Sequence, residues 1–244
     1  MADSALDPSL TAAAAPVSSP RHTAVVRVTH WITALSFIAL LVTGIEILIS
    51  HPRFYWGEEG NVETPSLFDL PIPSSRASVV TGYGYVLPDQ NGWSRALHFQ
   101  AAWVAVLIGL FYAAYGLKTR HFRKNLLPAG ADFSWGEILS HLRFRRPSEV
   151  ENGSYNIVQR ITYLIVIFVL FPLMIWTGLA MSPAFTSVFP ASVTVFGGHQ
   201  SARTIHFFVT VLLVLFVLVH VVMVYLAGFR RRMRAMITGH QEQA

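Results

Sequence analysis

Four stretches of this chain stay apolar long enough to cross a bilayer. They are Val28–Ser50, broken only by Glu46, then Ala96–Leu117, Ile161–Ser182 and Thr204–Phe229. Each exceeds the roughly eighteen apolar residues that mark a transmembrane helix. Backbone in lipid has no water to bond with, so each run is expected to be helical. The pattern predicts an all-α, integral membrane four-helix bundle. Pro172 falls within the third run, where its ring and missing N–H predict a bend.

Composition agrees with this picture. Hydrophobic residues make up 53% of the 244, charged residues only 13%, and the mean hydropathy is +0.47. A soluble domain carries about a quarter charged residues, so this chain lacks the polar surface to cover itself in water. The pI near 9.8 is a matter of topology and implies no nucleic acid. Arg21 and Arg27 precede the first run. Lys118, Arg120, Arg123, Lys124, Arg143, Arg145, Arg146 and Arg160 lie between the second and third, and Arg230, Arg231, Arg232 and Arg234 follow the fourth. With four crossings these regions share one side, which the positive-inside rule makes cytoplasmic. The topology is N-in, C-in. Asp3 and Asp7 stand where a signal peptide would carry base, so residues 1–24 are expected to form a disordered cytoplasmic tail. Residues 25–230 form the membrane domain and 231–244 a basic cytoplasmic tail.

Two connections are long. Residues 51–92 make an outer loop with His51-Pro-Arg-Phe-Tyr-Trp-Gly and later Thr81-Gly-Tyr-Gly-Tyr. Its aromatics and prolines suit either a dock for a partner protein or a cover over the outer end of the bundle. On the inner side, Ser134-Trp-Gly-Glu137 has capping-box spacing and precedes Ile138, Leu139 and Leu142. That segment is expected to be an amphipathic helix on the cytoplasmic surface.

The candidate chemistry lies in four histidines. His206 and His220 are fourteen residues apart on the fourth run, an interval that rises about 21 Å and returns to within roughly 40° of the same direction. Across a hydrocarbon core about 30 Å thick, both imidazoles look out of one side at two depths. His30 lies at the inner start of the first run and His98 at the outer start of the second. Depth therefore pairs His30 with His220 inside, and His98 with His206 outside. Zinc or copper usually needs three or four nearby ligands. Two per level suits a macrocycle that supplies four nitrogens itself, so the four histidines are read as axial ligands of two b-type haems. With no cysteine in the chain, covalently attached c-type haem and thiolate-held iron–sulfur clusters are excluded.

The surroundings admit two readings. Gly44, Gly109, Gly116 and Gly178 either let a flat ring approach the backbone or serve helix packing. Trp31, Phe37, Phe99, Trp103, Phe207 and Phe208 either wall the rings or fill the bundle. Arg27 inside, and Arg53, Arg95 and Arg203 outside, either pair with haem propionates or anchor helix ends at the interface.

Arg27-Val-Thr-His30-Trp31, the Arg95-Ala-Leu-His98 start and the His206/His220 spacing resemble the di-haem cytochrome b membrane subunits of bacterial respiratory enzymes. That family includes the anchors of nickel–iron hydrogenase, formate dehydrogenase and thiosulfate reductase and is related to cytochrome b561; the resemblance covers roughly residues 20–235. Tyr155-Asn156-Ile157-Val158-Gln159-Arg160 is similar to the family's Tyr-Asn-x-x-Gln-Lys segment. The resemblance implies a quinone site at Asn156 and Gln159, beside the inner haem. The plain alternative is a polar helix start capped by Asn156.

The resulting expectation is an electron-transfer subunit in the bacterial inner membrane. It would connect an extracytoplasmic catalytic partner, of molybdenum or nickel–iron type, to quinone at the cytoplasmic side. Two other readings are kept. A stand-alone b-type oxidoreductase could take electrons from a small diffusible substrate such as superoxide, though the acidic outer loop would repel that anion. A His-based proton or metal transporter would need a polar path, yet only Glu46 is acidic within the runs.

Overall fold

A computed structural model describes residues 22–60, 63–72, 92–120, 122 and 157–239. Four of its helices are long and apolar enough to cross a membrane: Ala24–Ser50, Gly92–Lys118, Arg160–Ala180 and His199–Leu226. The first two are α1 (Ala24–Ser50) and α2 (Gly92–Lys118). The third span comprises α3 (Ile157–Ile165), a π-turn (Val166–Leu170) and α4 (Phe171–Ala180). Two one-turn helices follow, α5 (Pro183–Thr186) and α6 (Ala191–Thr194). The fourth span is α7 (His199–Leu226), and α8 (Phe229–Thr238) ends the described chain. The four-helix, all-α expectation holds.

Helix α1 shows how such a sequence packs in lipid. Its buried residues are Thr29, Ser36, Thr43 and Ser50, one every seven residues, while Leu35, Ile38, Val42 and Ile45 are exposed. A seven-residue repeat keeps one seam facing a neighbouring helix. Small residues there allow close approach, and large apolar ones face hydrocarbon at no cost. The threonine hydroxyls are satisfied within the helix: Thr29 Oγ1 donates to Val25 O at 2.9 Å and Thr43 Oγ1 to Ala39 O at 2.7 Å. Helix α1 packs on α2, and α4 packs on α7.

The third span is interrupted just before Pro172. Proline removes a helical donor and its ring crowds the preceding turn, and here the chain takes the wider π-turn over Val166–Leu170. Val166, Val209 and Leu213 are buried there, with Phe37, Leu170, Phe171 and Phe216 packed round them. This is the apolar centre of the bundle.

At the outer end, residues after α1 fold back as a two-strand ladder, β1 (Arg53–Phe54) and β2 (Phe68–Asp69), with Arg53 opposite Asp69 and Phe54 opposite Phe68. The Phe54 and Phe68 rings stack at 4.6 Å, and Phe54 also meets Phe207 of α7 at 4.5 Å. At the inner end the chain turns at Gly228, φ +92°, into α8. This helix folds back on α1, where Trp31 Nε1 donates to Met236 O at 3.2 Å and Arg27 Nη1 to Ile237 O at 3.3 Å. The basic segment read as a tail over 231–244 is therefore helical as far as Thr238. The N-terminal tail and the expected surface helix near 134–142 lie outside the described residues.

Candidate haem sites

The structure brings the four histidines together in the two pairs that depth required. The His30 and His220 rings lie 6.3 Å apart between centroids, and the His98 and His206 rings 6.4 Å apart. A metal–imidazole bond is about 2.0–2.1 Å. One metal atom gripped by two imidazoles thus sets their centroids roughly 6.2–6.4 Å apart. Both pairs meet that requirement. Among the described residues no group of three or more His, Cys, Asp or Glu side chains could hold a metal ion. Each level thus offers two protein ligands, which suits haem and not a bare zinc or copper ion.

The outer pair is held by two threonines that the sequence reading did not single out. His98 Nδ1 lies 2.9 Å from Thr43 Oγ1, and His206 Nδ1 lies 2.9 Å from Thr177 Oγ1. Each hydroxyl has one proton, which bonds a carbonyl of its own helix: Ala39 O at 2.7 Å and Leu173 O at 2.9 Å. The hydroxyl oxygen is left to accept, so the imidazole must donate through Nδ1–H. The Nε2 atoms are then unprotonated and free to bind a metal.

The next residue in both helices is glycine. A Cβ on Gly44 would lie 3.5 Å from His98 Cε1, and one on Gly178 would lie 3.6 Å from His206 Cε1. These two of the four glycines flank a histidine. By contrast, Gly109 has nothing nearby, and Gly116 is covered by the Phe122 ring.

A signal for the threonines was present in the chain as a repeat. Arg95-x-x-His98-Phe99 recurs as Arg203-x-x-His206-Phe207, Thr43-Gly44 as Thr177-Gly178, and Arg27-Val-Thr-His30 as Arg160-Ile-Thr-Tyr163. Each half supplies one helix with Thr-Gly and one with His, so the outer site is built twice from the same parts. The inner site is built once. The position fourteen residues after His98 is Tyr112 where the second half has His220, and Tyr163 stands where the first half has His30. The ring of Phe122 packs against Tyr112 at 5.6 Å.

At the inner pair, Trp31 meets His30 edge-on at 5.4 Å and Phe216 stacks on His220 at 5.9 Å. His30 Nδ1 is buried with no hydrogen-bond partner. An orphaned buried polar atom of this kind suits a site completed by a group other than protein.

Predicted arginines at both ends of the bundle are engaged by protein, Arg53 among them, which pairs with Asp69 at 3.6 Å. The Arg203 guanidinium donates to the His51 carbonyl and to Gln200 Oε1 at 3.3 Å, and lies 4.9 Å over the Phe54 ring. Arg27 reaches the end of α8, while Arg95 is exposed at the outer end of α2. Asn156 and the side chain of Gln159 lie outside the described residues.

The outer loop closes over the start of α7. Gly57 N donates to Ser201 Oγ at 2.7 Å, and Thr204 Oγ1 to Tyr55 O at 2.8 Å. Glu58 accepts from the His199 backbone N–H at 3.1 Å and pairs with its ring. The His199 side chain, and after it this backbone bond, hold the Glu58 carboxyl below its usual range. An anion at a helix N-terminus also complements the dipole there.

A family model described as prokaryotic cytochrome b561 matches residues 21–239. The chain belongs to that family. This cytochrome b561 member is accordingly a multi-pass bacterial membrane protein that carries b-type haem and moves electrons across the bilayer. It is also similar to the putative protein-methionine-sulfoxide reductase subunit YedZ1 of Azospira oryzae, at 28% identity over 224 residues, covering 90% of this chain and 96% of that one. No solved structure matches the chain.

Proposed function

We propose that this cytochrome carries electrons through two b-type haems between an extracytoplasmic catalytic subunit and the quinone pool of the inner membrane. The observation that carries the reading is the matched separation of two histidine pairs, 6.3 Å and 6.4 Å, joined by α7. His98 and His206 would hold the outer haem, His30 and His220 the inner one. When bound, each haem supplies a one-electron couple. The chain's part is to fix these imidazoles at two depths and keep water out between them. Val209, Leu213 and Phe216 lie between the two α7 histidines, and with Phe37 they form a dry apolar layer.

A catalytic partner is supported by the relative, named as a reductase subunit. The aromatic outer loop, seated on α7, offers the surface for that partner, which we take to be a molybdenum or nickel–iron enzyme. Asn156 and Gln159, at the inner start of the third span, remain the proposed quinone contacts, by resemblance to the anchor subunits.

The test is haem stoichiometry. Purified protein should give two b-type haems per chain by pyridine spectrum, and His206→Ala or His98→Ala should each leave one. Parent protein with a single haem, or a His206→Ala variant that keeps both, would overturn the assignment.

A further inference from the structure

Resting on the reading of His98 and His206 as ligands of one haem, we propose that Thr43 and Thr177 are positioning residues that set the tautomer of those ligands and lower the potential of the outer haem. Each threonine hydroxyl donates its single proton to its own helix, 2.7 Å to Ala39 O and 2.9 Å to Leu173 O. What it offers the imidazole at 2.9 Å is therefore a lone pair. Both oxygens are locked, because threonine in a helix has few rotamers and its Cβ is carried by a backbone packed against the partner helix. Thr43 is 1% and Thr177 0% exposed, so water does not compete for either bond.

An imidazole that donates Nδ1–H to a fixed acceptor becomes a stronger base at Nε2. A stronger donor favours the more positive, ferric iron and so lowers the reduction potential relative to the same pocket without the bond. Two such bonds would act on one iron, one through each imidazole. The inner ligands lack the device: His30 Nδ1 has no partner, and among the described residues none is found for His220 either. The chain therefore tunes the outer couple through its ligands and leaves the inner couple to other influences.

Thr43→Val and Thr177→Val keep the shape and remove the acceptor; Thr43→Ser and Thr177→Ser restore it. In detergent-purified holoprotein, optical redox titration should show one of the two midpoints rising in each valine variant while the other stays fixed. We expect a change of up to roughly tenfold in that haem's reduction equilibrium, about 59 mV for a one-electron couple. The serine variants should titrate as the parent. Loss of one haem in a valine variant with retention in the serine variant would equally support positioning. Valine variants with both midpoints unmoved, or serine variants as altered as the valine ones, would overturn the proposal. Its failure is distinct from failure of the ligand assignment, which the histidine variants report through haem count.

Discussion

Each outer histidine meets a Thr-Gly pair, and the two members divide the work. In the proposed site threonine fixes the nitrogen that would not bind metal, and glycine leaves room beside the ring. The distances of 3.5 Å and 3.6 Å from the glycine positions to the imidazole carbons are ordinary contact for one methyl group. Gly44→Ala and Gly178→Ala should therefore keep both haems. Gly44→Leu and Gly178→Leu would push a branched side chain against the ring and should reduce the pyridine-haem count from two toward one. Equal counts in alanine and leucine variants would show that the glycines serve helix contact alone.

Among the elements, the join between the outer loop and α7 is the most demanding. Gly198 has φ +128°, and a Cβ there would run into the backbone of Gly57 and Glu58. A side chain in such backbone costs on the order of 1–3 kcal/mol before any clash is counted. Gly198→Ala should lower the Tm of the purified protein by several degrees, at roughly 2–4 °C per kcal/mol for a chain of this size. It should also make residues 53–60 more susceptible to protease while leaving haem content near the parent value. An unchanged Tm would mean that the loop rests on α7 without being clamped to it. Arg203, half-buried between the His51 carbonyl and the Phe54 ring, belongs to this same join.

At the scale of the whole molecule, most of the architecture was legible in the sequence. Apolar run length is a strong signal because lipid allows few backbone solutions, and the four spans lie where the runs are. The histidine pairing was legible for the same reason, since depth and orientation left one solution. Thr43 and Thr177 were not legible by type, because an intramembrane threonine usually bonds its own helix and nothing more. Only comparison of the two halves brings them out. The seam of Thr29, Ser36, Thr43 and Ser50 was hidden likewise: an apolar helix in lipid need not turn its large residues inward. The strands and α8 escaped a reading based on long runs because each is short.

That comparison also gives the π-turn a meaning. Thirteen residues separate His30 from Thr43, but fourteen separate Tyr163 from Thr177. The third span thus holds one amino acid more than its counterpart, and the wide turn over Val166–Leu170 absorbs the surplus. In a regular helix that surplus would swing Thr177 round by about 100° and away from His206. Excising a single amino acid within 166–170 should thus be silent for cofactor loading, whereas inserting one between 173 and 176 should abolish it at the outer level. An extra amino acid fits in this span only where the helix can widen to swallow it.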